Sequence, residues 1–506
     1  MLAAQDGLAQ DDAGPLSAID WLSRSVTTPG TDLPRPGLPP DEPPVATSAL
    51  PGEISTHSLD GPTLDALGLV PVAASGLPRD LWGTSPTAEL ARLLRAERIE
   101  TLPAIQALLM TLLLAELDPP EDRADDGMLF LARIDKLLDL GALDPALALL
   151  ELAGEPQPEP FRRWFDIALL TGQEDRACAV MRDSPRIAPT FPARIFCLAR
   201  GGDWNAAALS LRTGEALGHI EPEMAGLLAR FLDPELFEGE PDLPLPDRPS
   251  PLVLRLMEAI GQPMATTTLP LAFAHADLSA NAGWKTRIEA GERLARTGAI
   301  EPNRLWGLYT ERRAAASGGV WDRVRAVQAI DAAIEARDGR AVAAALQPAW
   351  AAMVAVGLEV PFASLYGESL AGMDLTGPAG ALAFRIGLLS DAYQTVAARR
   401  RPEGPDEAFL AGLAQGDGAA GSPADQLGVA VRSAFAPGAR PAADFADLID
   451  GRRRGEALLT AIDHVTEGAR GDLRDITAGL VLLRHVGLET VARRAALELL
   501  LLERRG

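Results

Sequence analysis

Leu140-Gly-Ala-Leu-Asp-Pro-Ala146, Thr171-Gly-Gln-Glu-Asp-Arg-Ala177 and Gly201-Gly-Asp-Trp-Asn-Ala-Ala207 lie over one another in register. In each, an apolar segment is followed by a glycine, and an alanine stands five residues beyond it. The pairs are Gly141 and Ala146, Gly172 and Ala177, Gly202 and Ala207, and the glycines recur at intervals of 31 and 30 residues. Glycine adopts the left-handed backbone that ends a helix without the penalty a Cβ imposes. A small alanine in the following helix lets the two helices approach closely. A helical hairpin built this way leaves an apolar face uncovered, so neighbouring hairpins stack to bury it. These segments predict an all-α fold, an α-solenoid of stacked helical hairpins.

The flanking sequence agrees. Ala88-Glu-Leu-Ala-Arg-Leu-Leu94, Leu131-Ala-Arg-Ile-Asp-Lys-Leu-Leu138 and Phe161-Arg-Arg-Trp-Phe-Asp-Ile-Ala-Leu-Leu170 carry the 3.6-residue period of amphipathic helices. No run alternates as a strand would, and no Asn-Gly or Asp-Gly sits between strand-like runs. Weaker echoes of the glycine-plus-five spacing stand at Gly339/Ala344 and Gly487/Ala492, and Gly141-Ala-Leu-Asp-Pro145 is matched by Gly298-Ala-Ile-Glu-Pro302. Composition divides the chain further. Residues 1–26 read as a disordered tail with one short amphipathic motif, and residues 27–56, with eight prolines from Pro29 to Pro51, as an extended linker. Residues 57–240 form a first helical-repeat domain, closed by a Pro-rich acidic stretch. Residues 252–401 form a second helical domain, 402–424 a Gly-rich flexible loop, and 425–506 a C-terminal helical segment.

Gly202-Asp203-Trp204 with Ala207 resembles the Gly-Asp-Tyr…Ala that opens the second helix of a tetratricopeptide-type repeat, and the resemblance covers residues 131–217. It implies protein or peptide binding on a concave face and names no partner.

The balance of charge excludes other partners. With 70 acids against 47 basic residues the formal charge is −23, so phosphate backbones and anionic membrane surfaces meet a repulsive field. Arg399-Arg-Arg401 and Arg452-Arg-Arg454 are the two basic triplets, and against this background both read as structural or as local contacts to acids. No run approaches the roughly 18 apolar residues of a membrane span, and the segment from Ala107 to Ala115 reads as a buried helix. Leu2-Ala3-Ala4-Gln5 has the small-residue character of a signal-cleavage tail without the basic and apolar regions that precede one. An exported, periplasmic location is preferred on that ground, with a cytoplasmic start still open.

Catalytic constellations are scarce, and no cofactor is expected. Neither lysine follows a glycine, which excludes a P-loop. Gly416-Asp-Gly418-Ala-Ala-Gly421 matches G-x-G-x-x-G but lacks the preceding strand, and reads as a loop. His464 and Glu467 share a helix face yet make no metal set, and there is no H-E-x-x-H or C-x-x-C. Glu368-Ser369 resembles the Glu-Ser of lytic transglycosylases, which would make Glu368 a general acid acting on cell-wall glycan. Ala371-Gly-Met-Asp-Leu375 stands where that family's Gly- and Gln-rich motif would follow, and a capped helix start is the plainer reading. The protein is therefore expected to be a non-catalytic scaffold.

Three further features bear on function. Trp164, Trp204, Trp284, Trp306, Trp321 and Trp350 fall in helical patterns and read as core. Leu16, Ile19, Trp21 and Leu22 form an apolar island in a polar tail, either an exposed stretch or a linear motif that docks in a groove on a partner or on the chain's own solenoid. Cys178, after Gly172, belongs to the second helix of one hairpin, and Cys197, before Gly202, to the first helix of the next. Stacking makes them neighbours. A disulfide and a pair of buried thiols both remain open, the former needing Cα atoms within about 7 Å.

Overall fold

Pro-rich helix starts and glycine stops punctuate the chain throughout. The computed structural model describes residues 63–122, 127–154 and 157–502, and every regular element among them is helical. An isolated bridge between Val70 and Ala115 is the one strand-like pairing there. The tail and linker, with Leu16, Ile19, Trp21 and Leu22, lie outside the described residues.

The first helices are α1 (Val72–Ser75), α2 (Thr87–Ala96), α3 (Pro103–Leu114), α4 (Met128–Asp139) and α5 (Leu143–Leu152). Next come α6 (Pro158–Thr171), α7 (Glu174–Asp183), α8 (Phe191–Arg200), α9 (Trp204–Ala216), α10 (Pro222–Leu232) and α11 (Pro251–Ala259). A 3₁₀ segment, Leu271–Leu278, leads to α12 (Trp284–Ala295), α13 (Pro302–Thr310), α14 (Val320–Glu335), α15 (Gly339–Val354), α16 (Glu359–Ala371), α17 (Gly377–Leu388) and α18 (Tyr393–Arg399). The last are α19 (Pro405–Gln415), α20 (Gln426–Ala434), α21 (Ala443–Asp450), α22 (Arg454–Gly468), α23 (Leu473–His485) and α24 (Glu489–Leu501). Successive helices pack on one another along most of this path.

The turns explain why. Gly141, Gly172 and Gly202 have φ of 73°, 73° and 84°. In each case the next helix begins two residues later, and its fourth residue, Ala146, Ala177 or Ala207, is fully buried. The same register holds at Gly357, Gly471 and Gly487, whose +5 residues Phe362, Ile476 and Ala492 are buried. It also holds at Arg337 and Arg452, which take positive φ without being glycine and bring Val342 and Ala457 into the core. Thus the Gly487/Ala492 echo is a repeat turn, whereas at Gly339/Ala344 the left-handed residue is Arg337 and Ala344 is exposed. A second turn class follows Gly154, Gly218 and Gly298. There the helix starts four residues on, with Pro158, Pro222 or Pro302 as its first residue, and buries Phe161, Ala225 or Leu305.

The buried side chains fall into two cores, and these revise the domain limits. One core holds residues from Leu77 to Leu170 together with residues from Leu254 to Leu502. The other is confined to Phe161 through Met257, spanning α6 to α11. Residues 57–240 are therefore not one domain: α2 to α5 share their core with the C-terminal half, and α6 to α11 form a side lobe. The Pro-rich stretch before Pro251 is a connection inside that lobe, returning the chain so that α11 packs on α6. Residues 402–424 are not a loop throughout, because α19 lies within them and buries Phe409, Leu410 and Leu413. The G-x-G-x-x-G glycines pack closely there: a Cβ on Gly418 would meet Phe435 at 2.8 Å.

The two ends of the helical path meet. Helix α24 packs on α3, and α22 on α2 and α3. Glu498 accepts a hydrogen bond from the Ala104 N–H at 2.9 Å, the Thr101 and Thr466 hydroxyls are 2.7 Å apart, and the Gly455 N–H donates to the Leu81 carbonyl at 2.9 Å. Arg98 pairs with Glu467 at 2.8 Å and Arg452 with Glu121 at 2.9 Å.

Candidate functional site: the disulfide-clamped lobe and an arginine-rimmed depression

Helix α7 buries only Ala177, Cys178 and Met181 among its ten residues. So little apolar burial holds a helix weakly. A covalent clamp supplements it: Cys178 and Cys197 form a disulfide, with Cα atoms 5.0 Å apart, tying α7 to α8. The predicted adjacency and hairpin register are met, and of the two open chemistries the structure has the bond.

Helix α9 is thinly covered. Only Ala207, Leu211 and Gly214 are buried in it. Trp204, at its first turn, is 50% exposed, with its ring 6.3 Å from that of Phe231, which stacks on Phe196 at 5.6 Å. Trp204 is thus not the core residue its helical pattern suggested; a helix that covers one face of the lobe's edge leaves its remaining faces to solvent. Among the described residues eight large apolar side chains are exposed, and five of them, Trp204, Leu209, Leu217, Leu236 and Leu245, belong to this lobe. Five uncovered large apolar side chains on one lobe make it the candidate for an interaction surface. The sequence offered a signal for Trp204 in the Gly-Asp-Trp motif and none for the four leucines, whose exposure depends on which helix ends the stack.

A second surface lies across the molecule's main core. A depression of about 100 Å³ is lined by Leu370 at the end of α16, Leu375 in the turn after it, Phe384 in α17, and Val396 and Arg399 in α18. Arg400 stands over the Phe384 ring at 5.4 Å and pairs with Glu403 and Glu407, each at 3.1 Å.

The remaining candidates are accounted for as follows. Glu368 is exposed near the C-terminal end of α16, neither at a helix start nor at the base of a cleft, and this placement gives a general-acid role no support. His464 hydrogen-bonds Asp475 at 2.8 Å and Glu467 is engaged by Arg98. No group of three or more His, Cys, Asp or Glu among the described residues is arranged to hold a metal, and no helix there is long and apolar enough to cross a membrane. The buried ionic groups serve as internal ties. Arg133 donates to the carbonyls of Leu67, Leu113 and Ala115 at 2.7, 2.8 and 3.0 Å, and burial lowers its pKa to about 10. Lys136 donates to the Arg95 and Glu97 carbonyls at 2.9 and 2.7 Å and to Asp139 at 3.1 Å. Glu292 accepts from Tyr309 at 2.6 Å and from both ends of the Arg323 fork at 2.7 Å. None of these residues lines the depression between α16, α17 and α18.

Comparison with protein-family models, with curated proteins and with solved structures finds no match for this chain.

Proposed function

We propose that this protein is a non-catalytic helical-repeat scaffold that binds protein or peptide partners through the lobe formed by α6 to α11. The observation that carries the reading is the concentration of uncovered large apolar side chains on that lobe. Stacked hairpins with glycine-terminated first helices and small residues at the helix contacts fit a tetratricopeptide-like binding module. A half-exposed tryptophan braced by the partly buried Phe231, which stacks on the buried Phe196, is the kind of side chain that dominates interface energetics. The disulfide further supports an oxidising location, the cell envelope or periplasm, because such bonds persist where glutathione and thioredoxin do not reduce them.

Affinity capture from the native cell tests the reading, using the intact chain and the variant Trp204→Ala/Leu209→Ser/Leu236→Ser side by side. All three positions are exposed, so the fold and the disulfide are retained. The triple variant is expected to lose the captured partner, and Trp204→Ala alone to weaken it by about ten-fold or more. An unchanged partner set on the triple variant would remove the lobe from the proposal.

A further inference from the structure

The two arginine triplets have opposite fates. In the second, Arg452 pairs with Glu121 at 2.9 Å, Arg453 with Glu456, and Arg454 with Asp80 at 4.0 Å, all at or beside the seam where the chain's ends meet. In the first, Arg400 is neutralised by Glu403 and Glu407, while Arg399 and Arg401 are exposed and have no ion pair among the described residues. Two exposed arginines thus flank Arg400 within three residues, one of them at the depression. Arg399 stands at the rim of the depression whose floor is Leu370, Phe384 and Val396, each less than 5% exposed. At about 100 Å³ the space is somewhat smaller than the roughly 150 Å³ that takes a benzene ring, so it admits one apolar side chain from its open side. A short segment that carries one apolar anchor and acidic side chains fits that floor and the cation beside it.

The chain contains such a segment. Asp11-Asp-Ala-Gly-Pro-Leu-Ser-Ala-Ile-Asp-Trp-Leu-Ser-Arg24 combines Leu16, Ile19, Trp21 and Leu22 with Asp11, Asp12 and Asp20, and residues 1–62 hold nine acids against two arginines. Between Leu22 and Thr63 there are 41 residue steps. At up to ~3.3–3.6 Å each they span on the order of 130 Å, far beyond the roughly 22 Å radius of gyration of a compact body of this size. A covalent connection of that reach makes docking an intramolecular event, which favours the chain's own segment over the same segment of another copy.

We infer that residues 11–24 fold back on their own chain and dock on the arginine-rimmed depression between α16, α17 and α18, with an apolar side chain seated on its floor and the aspartates facing Arg399 and Arg401. External acidic, apolar peptides then reach that surface only by displacing the tail. This inference is independent of the lobe's role as a binding surface.

The test uses the full chain carrying Ser17→Cys and Thr376→Cys, labelled with a donor and acceptor dye without reductant so that the native disulfide stays closed. Efficient energy transfer that does not change on dilution is expected. It should fall to the level of undocked chain in the background Leu16→Ser/Ile19→Ser/Trp21→Ala/Leu22→Ser. Arg399→Glu and Arg401→Glu should each lower the docked-to-free ratio by about two- to five-fold, the range of an exposed ion pair, and less at high salt. Arg212→Glu, an exposed reversal in the lobe, should leave it unchanged. Transfer that appears only when singly labelled chains are mixed would assign the site to a second copy and overturn the inference. Low transfer in the parent chain, or transfer insensitive to the apolar substitutions, would overturn it as well.

Discussion

At Glu97 a single carboxyl records how the molecule is closed. It is 8% exposed, burial pushes its pKa up to about 8, Asp463 adds to the rise and Lys136 opposes it. Asp166 behaves alike, raised to about 7 by burial against the pull of Arg162 and Arg163. A carboxyl raised above its ordinary value of 4.5 favours the folded state in its protonated form. That contribution is complete below about pH 4.5 and is lost as pH rises through about 8. Glu97→Gln should therefore match the parent chain in thermal melts at pH 5 and exceed it increasingly up to pH 8 or 9. An equal difference at all pH values would refute the assignment. The disulfide acts at the same scale. Cys178→Ser/Cys197→Ser should cost about 3 kcal/mol in the chain-entropy model for a loop of this length. The loss should appear as increased amide exchange in α7 and α8, with α22 to α24 unchanged. Thiol titration of the denatured chain, with and without reductant, checks the bond directly.

At the scale of the element, the repeat is a backbone rule more than a residue rule. What recurs is a left-handed residue, a helix beginning two positions later, and burial of that helix's fourth residue. Glycine and alanine are the cheapest occupants of those positions and for that reason were visible in the sequence at 141, 172 and 202. At 337 and 452 an arginine accepts the left-handed strain, and at 342, 362 and 476 the buried position is Val, Phe or Ile, so the same turn left no readable motif. Arg337→Gly should accordingly stabilise the protein, by about 1 kcal/mol in urea denaturation, since a non-glycine residue pays roughly 1–2 kcal/mol there. Gly172→Ala should cost about 1 kcal/mol, because its added Cβ meets open space and only the backbone is strained. Gly141→Ala should cost more. Its Cβ would lie 2.9 Å from Leu294 Cδ2 and 3.0 Å from Leu271 Cγ, so packing strain adds to the backbone term. Equal losses at 141 and 172 would show that the helices are not held that tightly.

For the whole molecule, the contact of α24 and α22 with α2 and α3 makes the first and last helices of the main core mutually dependent. Glu498→Ala removes the acceptor of the Ala104 N–H and leaves a buried donor unpaired, at a cost of about 1–3 kcal/mol. Hydrogen exchange should rise in residues 103–114 and 489–501 together, while the lobe of residues 158–259, with its own core, keeps its protection. Exchange rising uniformly over the chain would mean that lobe and main core unfold as one unit.

Local chemistry sufficed for part of this. Helical class, the three glycine turns and the adjacency of Cys178 and Cys197 all follow from periodicity, backbone preference and sequence separation of at most one repeat. Each is settled by residues within about 30 positions of one another, and such information survives in a single chain. The partition into cores, the meeting of the ends, the exposure of Trp204 and the helix inside residues 402–424 depend on which faces find a partner hundreds of residues away. A face that is apolar in sequence is buried only if another element covers it, and an arginine is unpaired only if no distant acid reaches it. Arg399 and Arg452 open the two arginine triplets, and the sequence around them does not say which distant acid either will meet. Folding brought Glu121 to Arg452 and the apolar floor of the depression to Arg399, and that choice belongs to the tertiary structure alone.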